Sequence, residues 1–241
     1  MHFKELIRNV LISLHVDATK NLKYDRLTLK VLEQVLKYGG NAIDIGCHKG
    51  EILEIMLKLA PLGHHLGFEP IPALYNQLNA HFDGIATIYP YALSDTNGST
   101  TFQYVRNAPA YSGIRKREYA TNHPDIEEIN VEMRTLDSVI SSDQTVRLIK
   151  IDVEGAEYLV LKGALQTLRR HQPVVIFECG LGASEFYGTQ PEQIYDLLTR
   201  DAGLNIHLIP DWLNGYPWLS RDDFGRIYRE KKDYYFVAAA N

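Results

Sequence analysis

The sequence predicts a doubly wound α/β fold, an open and mostly parallel sheet covered by helices on both faces. Three observations lead there. Short apolar runs alternate with stretches whose apolar residues recur every three or four positions, the pattern of repeated strand-helix units. The segment Asn41-Ala42-Ile43-Asp44-Ile45-Gly46-Cys47-His48-Lys49-Gly50 passes from an apolar strand through two glycines into an amphipathic helix. Carboxylates, among them Asp44, Glu69, Asp152 and Glu178, recur at the ends of predicted strands, the edge where open parallel sheets bind ligands.

In chain order, Phe3, Leu6, Ile7, Val10, Leu11 and Leu14 space an amphipathic first helix. It lacks the continuous apolar run of a signal peptide or a membrane span, so docking on the domain or on a second subunit is expected. Tyr24 to Thr28 follow, and then a second helical pattern through Val31, Leu32, Val35 and Leu36, ended by Gly39-Gly40. Residues 1–38 read as a helical extension and 39–241 as the main domain. Beyond the glycine turn, Ile52, Leu53, Met56 and Leu59 mark a helix stopped by Pro61, and strand two runs from His65 to Phe68. A helix through Leu74, Tyr75, Leu78 and Phe82 precedes strand three, Ile85 to Leu93.

A long insertion separates Gly98 from Val146, with strands expected around Thr100 to Val105 and Asn130 to Thr135. Insertions of this length are usually functional or mobile. This one carries the basic run Arg115-Lys116-Arg117, which is either a solvated loop or a grip for an anionic substrate, and His123. Strand four, Arg147 to Ile151, ends on Asp152, and one helix is expected through Leu159, Leu161, Ala164, Leu165 and Leu168. Strand five, Val174 to Phe177, ends on Glu178. Thr189-Gln190-Pro191-Glu192 reads as a capping box opening another helix. Strand six is Asn205 to Ile209, and the last strand is Tyr234 to Ala240. Between them Trp212, Tyr216 and Trp218 form an aromatic excursion suited to a substrate pocket or a subunit contact.

Composition narrows the function. The 241 residues carry a formal charge of −5 and are 45% hydrophobic. That suits one large core and does not support a generally basic nucleic-acid-binding surface. The two cysteines, Cys47 and Cys179, fall in different parts of the sheet and read as free thiols of a cytoplasmic protein.

The glycine turn then selects a ligand. A dinucleotide fingerprint needs glycine where His48 and Glu51 stand, and a phosphate-loop pattern is absent. Asp44 and Glu51 would both repel a polyphosphate. A cationic ligand built on an amino acid suits the loop better, and S-adenosylmethionine has an ammonium and a sulfonium for the acids and a carboxylate for backbone N–H groups. Glu69, some twenty residues past the turn, is placed to hold ribose hydroxyls, and Asp95, beyond strand three, could accept from an adenine amino group.

Taken together, Asp44-Ile45-Gly46-Cys47-His48-Lys49-Gly50, Phe68-Glu69-Pro70, Ala92-Leu93-Ser94-Asp95, Thr135-Leu136-Asp137 and Lys150-Ile151-Asp152-Val153-Glu154-Gly155-Ala156-Glu157 resemble the FkbM family of S-adenosylmethionine-dependent methyltransferases. The resemblance runs from about Tyr24 to about Phe177. It implies a class I methyltransferase, Rossmann-like sheet of seven strands with the last antiparallel, and EC 2.1.1-type O-methylation of hydroxyls on sugars, glycoconjugates or natural products. It makes Asp44, Gly46, His48 and Gly50 the methionine-side loop, Glu69 the ribose ligand and Asp95 the adenine ligand. Cys47-His48 departs from the more usual Ala-Asn.

A hydroxyl is a poor nucleophile, so a positioned group must accept its proton during attack. Asp152 is the expected base or acceptor-orienting group, with Glu178 or His123 assisting. A divalent metal held by Asp152 and Glu178 is the rival within this class. From other classes come a non-catalytic adenosylmethionine-binding relative and, less suited to the loop, a nicotinamide-dependent oxidoreductase. The expected partner is a small-molecule or carbohydrate acceptor, and self-association is left open.

Overall fold

The structure, a computed structural model, describes residues 20–119, 123–141 and 143–240. The expected helix from Phe3 to Leu14 lies outside them. In chain order the strands are β1 (Ala42–Ile45), β2 (Leu66–Phe68), β3 (Thr87–Tyr89), β4 (Tyr91–Leu93), β5 (Gly98–Val105), β6 (Ile126–Arg134), β7 (Leu148–Ile151), β8 (Val174–Glu178), β9 (Asn205–Leu208) and β10 (Tyr235–Ala239). Seven of them form one sheet in the order β3-β2-β1-β7-β8-β10-β9. Every pairing is parallel except those of β10, which runs antiparallel to both β8 and β9. This is the class I methyltransferase arrangement that the family resemblance implies.

The helices are α1 (Lys20–Leu36), α2 (Glu51–Leu59), α3 (Pro72–His81), α4 (Leu136–Val139), α5 (Glu157–Gly163), α6 (Leu165–His171), α7 (Pro191–Asp196), α8 (Ile209–Leu213) and α9 (Arg221–Arg229). Alternate strand residues point to opposite faces, so each central strand feeds two cores. Ile43, Ile149 and Phe177 meet Val160, Leu168 and Phe224 on one face. Ala42, Leu148 and Ile176 meet Leu32, Met56 and Ile209 on the other. α1 buries Tyr24, Leu27, Val31, Leu32, Val35 and Leu36 in that second core.

Several elements differ from their expected form, each for a local reason. Tyr24 to Thr28 lie inside α1, which starts at Lys20. The single strand expected from Ile85 to Leu93 is broken at Pro90, which has no N–H for a ladder. β3 stays in the main sheet, whereas β4 joins β5 and β6 in a second, three-stranded sheet. The helix expected from Leu159 to Leu168 is two helices. At the junction Gly163 lies so close to the Ser94 carbonyl that a Cβ would stand 2.0 Å from it. α6 is capped from outside by Asp137, whose carboxylate accepts from the amides of Gln166 and Thr167 and from the Thr167 hydroxyl. The capping box ahead of α7 is Gln190 with Gln193, because Pro191 takes the first helical position.

Candidate active site

The carboxyl ends of β1, β2, β7 and β8 open into one cleft of about 690 Å³. The insertion roofs it with Tyr111, Ser112, Ile114 and Arg117, and α1 closes the far side with Asn21, Tyr24 and Asp25.

The glycine turn forms as expected, with left-handed backbone at Gly46 (φ 78°), His48 (φ 47°) and Gly50 (φ 81°). Its amides are largely committed within the protein. Gly46 and Cys47 donate to the Phe68 carbonyl, and His48 donates to Glu69 Oε2 at 2.9 Å. Glu69 Oε1 accepts from the Ile71 amide, also at 2.9 Å. Glu69 therefore ties the turn to the end of β2 while facing the cleft, and each oxygen keeps a second lone pair for a ligand hydroxyl. Burial pushes its carboxyl up to about 7, against the pull of the two amides.

Strand register builds the center of the site. Asp44 on β1 is the direct partner of Lys150 on β7, and both side chains lie on the α1 and α2 face of the sheet. Asp44 is 1% exposed, and neither carboxylate oxygen has a hydrogen bond among the described residues. The Lys150 ammonium stands 3.7 Å from Asp44 Oδ1 and 3.2 Å from Asp152 Oδ2. Asp152 Oδ2 also accepts from the Tyr235 hydroxyl at 2.7 Å. The ammonium thus serves two carboxylates unequally. Burial, partly offset by Lys150, raises Asp44 to about 6. At Asp152 burial is outweighed by Lys150, Tyr235 and Arg117, which hold the carboxyl below its ordinary value. Burial alone would lower Lys150, yet Asp152 and Asp44 keep it above the usual lysine range.

Glu178 ends β8 opposite Tyr235 and lines the same cleft. The Tyr235 hydroxyl donates to Asp152 and not to Glu178. Burial and the neighboring charges of Asp152 and Glu157 lift it well above the ordinary range. Glu157 is buried behind it, and its Oε1 accepts from the amides of Val153 (3.0 Å) and Gly155 (3.2 Å). That bond pair shapes the loop after β7, where Glu154 adopts φ 59° and pairs with Arg117.

The basic run divides. Lys116 is exposed, Arg115 binds the Phe186 carbonyl at 3.0 Å, and Arg117 turns into the cleft over the Tyr111 ring. The structure does not bring His123 or Asp95 to the cleft. His123 sits on an exposed part of the insertion, its carbonyl accepting from Asn107. Asp95 is carried away with β4 after the break at Pro90 and pairs with Lys162 of α5 at 2.6 Å. Nor does the aromatic excursion line the cleft. Trp212 packs against the α1 face, and Tyr216 and Trp218 are exposed.

A sequence reading passed over Lys150, Tyr24 and Tyr235, and did not single out Arg117 within the basic run. The signal for Lys150 was present, since a charged residue inside the apolar run Leu148-Ile149-Lys150-Ile151 and two positions before Asp152 shares a strand face with it. Among the described residues no group of three or more His, Cys, Asp or Glu side chains is arranged to hold a metal ion. The Asp152 carboxylate, a ligand in the rival metal reading, is engaged by the Lys150 ammonium.

Residues 44–205, from the Asp44 turn through β9, match the model of the methyltransferase FkbM domain. The chain belongs to the FkbM methyltransferase family. The chain is 28% identical over 166 residues to the 2-O-methyltransferase NoeI of Sinorhizobium fredii (strain NBRC 101917 / NGR234), an alignment covering 63% of this chain and 67% of that protein. A crystal structure of methyltransferase FkbM from Methylobacillus flagellatus KT matches 83% of this chain at 15% identity with a TM-score of 0.49, and the match spans 43% of that protein's length. The plantazolicin methyltransferase BpumL, solved in complex with a monoazolic desmethylPZN analog and SAH, matches 95% of this chain and 89% of its own at 11% identity and a TM-score of 0.47. Cys47 and Cys179 of this FkbM domain are both free and buried. No described helix is long and apolar enough to cross a membrane.

Proposed function

We propose that the protein is an S-adenosylmethionine-dependent O-methyltransferase acting on a hydroxyl of a sugar, glycoconjugate or natural-product metabolite. The observation that carries this reading is one cleft that holds Asp44, whose carboxylate oxygens no described residue hydrogen-bonds, beside the glycine turn, and the raised carboxyl of Glu178 beside Tyr235. Asp44 suits a cation, being buried, orphaned and only partly compensated by Lys150. Glu69 suits the ribose hydroxyls, and the rings of Phe68 and Tyr91 flank the adjoining apolar wall. The name of the relative NoeI supports a hydroxyl acceptor.

When bound, S-adenosylmethionine supplies a methyl group on a sulfonium, so that a C–O bond forms as the C–S bond breaks and its electron pair returns to sulfur. In its ionized form Glu178 takes up the hydroxyl proton, because its raised carboxyl makes it a stronger base than Asp152, to which the Tyr235 hydroxyl donates. Asp152 is the orienting group. Held by Lys150 and Tyr235, it is fixed in place and weakly basic, suited to accepting a hydrogen bond from the acceptor. Tyr24, Tyr111 and Tyr234 offer aromatic faces to the rest of that molecule.

Calorimetric titration with S-adenosylmethionine and S-adenosylhomocysteine, with NAD as control, tests the reading. Micromolar binding of the sulfur ligands, weakened at least tenfold in Glu69→Ala, is expected on the scale of a lost charged hydrogen bond. Glu178→Gln should keep that affinity and lose methyl transfer to a panel of hydroxylated acceptors. Binding of NAD alone would overturn the assignment, and full turnover in Glu178→Gln would remove Glu178 as the base.

A further inference from the structure

The buried charges of the cleft do not balance. Asp44 and Asp152 face one ammonium, that of Lys150, from two sides, at 3.7 and 3.2 Å. Asp152 has a second donor in Tyr235, whereas both oxygens of Asp44 go unbonded among the described residues. A buried carboxylate in that position awaits either a proton or a cation.

We propose that Lys150 is a positioning residue that divides one positive charge between Asp44 and Asp152, leaving the site one cation short, so that arrival of the cofactor's cationic end at Asp44 displaces a proton and Lys150 sets the pH at which it does so. The inference rests on the S-adenosylmethionine reading and adds to it a proton linkage and a role for a residue outside the expected ligand set. The groups facing this pair come from every surrounding element. They are Tyr24 and Asp25 on α1, Glu51 on α2, His48 and Cys47 from the turn, Glu69 after β2, Glu178 at the end of β8, Tyr235 on β10, Glu157 on α5 and Arg117 from the insertion. Of these Glu69 and Glu157 also titrate near neutrality, so their share of any released proton needs a control.

The signs follow from the charges. Without ligand Asp44 takes up its proton at about 6, and a bound cation beside it lowers that value. Affinity for the cation therefore falls, and protons are released on binding, as pH drops toward and below this midpoint. Removing Lys150 strips Asp44 of its compensation and moves the midpoint up. Removing the Asp152 charge relieves a repulsion, gives Asp44 the whole of Lys150, and moves it down. General damage to the site would not shift the two variants in opposite directions.

The experiment is titration of the purified chain with S-adenosylhomocysteine, which keeps the ammonium, from pH 5 to pH 8 in buffers of differing ionization enthalpy, counting protons released. Wild type should lose about twofold in affinity between pH 8 and pH 6 and release about half a proton at pH 6, beyond the share of Glu69 and Glu157. Lys150→Met should lose about tenfold over the same interval, Lys150→Arg should resemble wild type, and Asp152→Asn should show almost no loss. Asp44→Asn should bind weakly and release only the share of Glu69 and Glu157. Shifts of Lys150→Met and Asp152→Asn in the same direction, or none, would overturn the coupling. Should Lys150→Met fail to fold, Asp152→Asn and Asp44→Asn decide it alone, since an unshifted midpoint in the first or undiminished proton release in the second refutes it. Absence of S-adenosylhomocysteine binding to wild type at pH 8 overturns the cofactor reading itself, and this inference with it, before any variant is compared.

Discussion

Gly46→Ala separates two explanations for the glycine turn. Glycine there could serve a ligand's close approach or the approach of two protein loops, and the structure favors the second. A Cβ at Gly46 would lie 1.9 Å from the backbone oxygen of Asp152, where real contacts stay above 3.0 Å. Neither side of that contact is a flexible side chain, so the turn and the loop after β7 must separate by about an ångström. Gly46 also holds φ 78°, a conformation that disfavors any L side chain by about 1–2 kcal/mol. Separation strains the bond from the Asp152 amide to the Ile45 carbonyl, 3.0 Å long and worth about 1 kcal/mol. The sum is about 3 kcal/mol, or a Tm lowered by about 6–12 °C for a chain of this size. Because Asp44 and Asp152 ride on the displaced segments, S-adenosylhomocysteine affinity should fall with it. Thermal unfolding and calorimetry on the same preparation make the check. A variant within 2 °C of wild type and of equal affinity, about the resolution of a 1 kcal/mol effect, would refute the argument.

Two further outcomes test the supporting structure. Glu157→Gln keeps the oxygen that accepts from Val153 and Gly155 but removes a buried charge. Because the folded carboxyl is raised from 4.5 to about 7, the native state of wild type binds the extra proton and loses stability as pH rises through that window. The variant should match wild type at pH 5 and exceed it by about 1–3 kcal/mol at pH 8 in urea denaturation, and a variant less stable at both pH values counts against this account. Asp137→Ala deletes three bonds to the start of α6 and should cost about 2–3 kcal/mol in thermal unfolding while leaving ligand affinity unchanged. A change in affinity would place the Thr135-Leu136-Asp137 motif in the site and not in the scaffold.

Much of this molecule is written locally. Apolar runs and helical spacing are properties of neighboring residues, so alternating strands and helices could be read directly. The rule that ligands meet the carboxyl ends of parallel strands then placed Asp44, Glu69, Asp152 and Glu178 at one edge, where the structure has them. Reading by proximity in sequence failed where chain direction changed. Asp95 follows strand three closely, yet Pro90 diverts β4 into the second sheet, and Asp95 leaves with it. His123 and Arg117 lie on the same insertion, and nothing in their spacing tells which of them turns inward.

By itself the sequence determined the α/β class, the strand-end carboxylates and the family, because each depends on residue order along the chain. Only the tertiary structure decided which carboxylates are satisfied. Lys150 meets Asp44 through the β1 to β7 register, and Tyr235 reaches Asp152 because β10 turns back antiparallel beside β8. A charge's chemistry is set by what lies within a few ångströms of it, and those neighbors come from strands more than a hundred residues apart in sequence for Asp44, and more than eighty for Asp152.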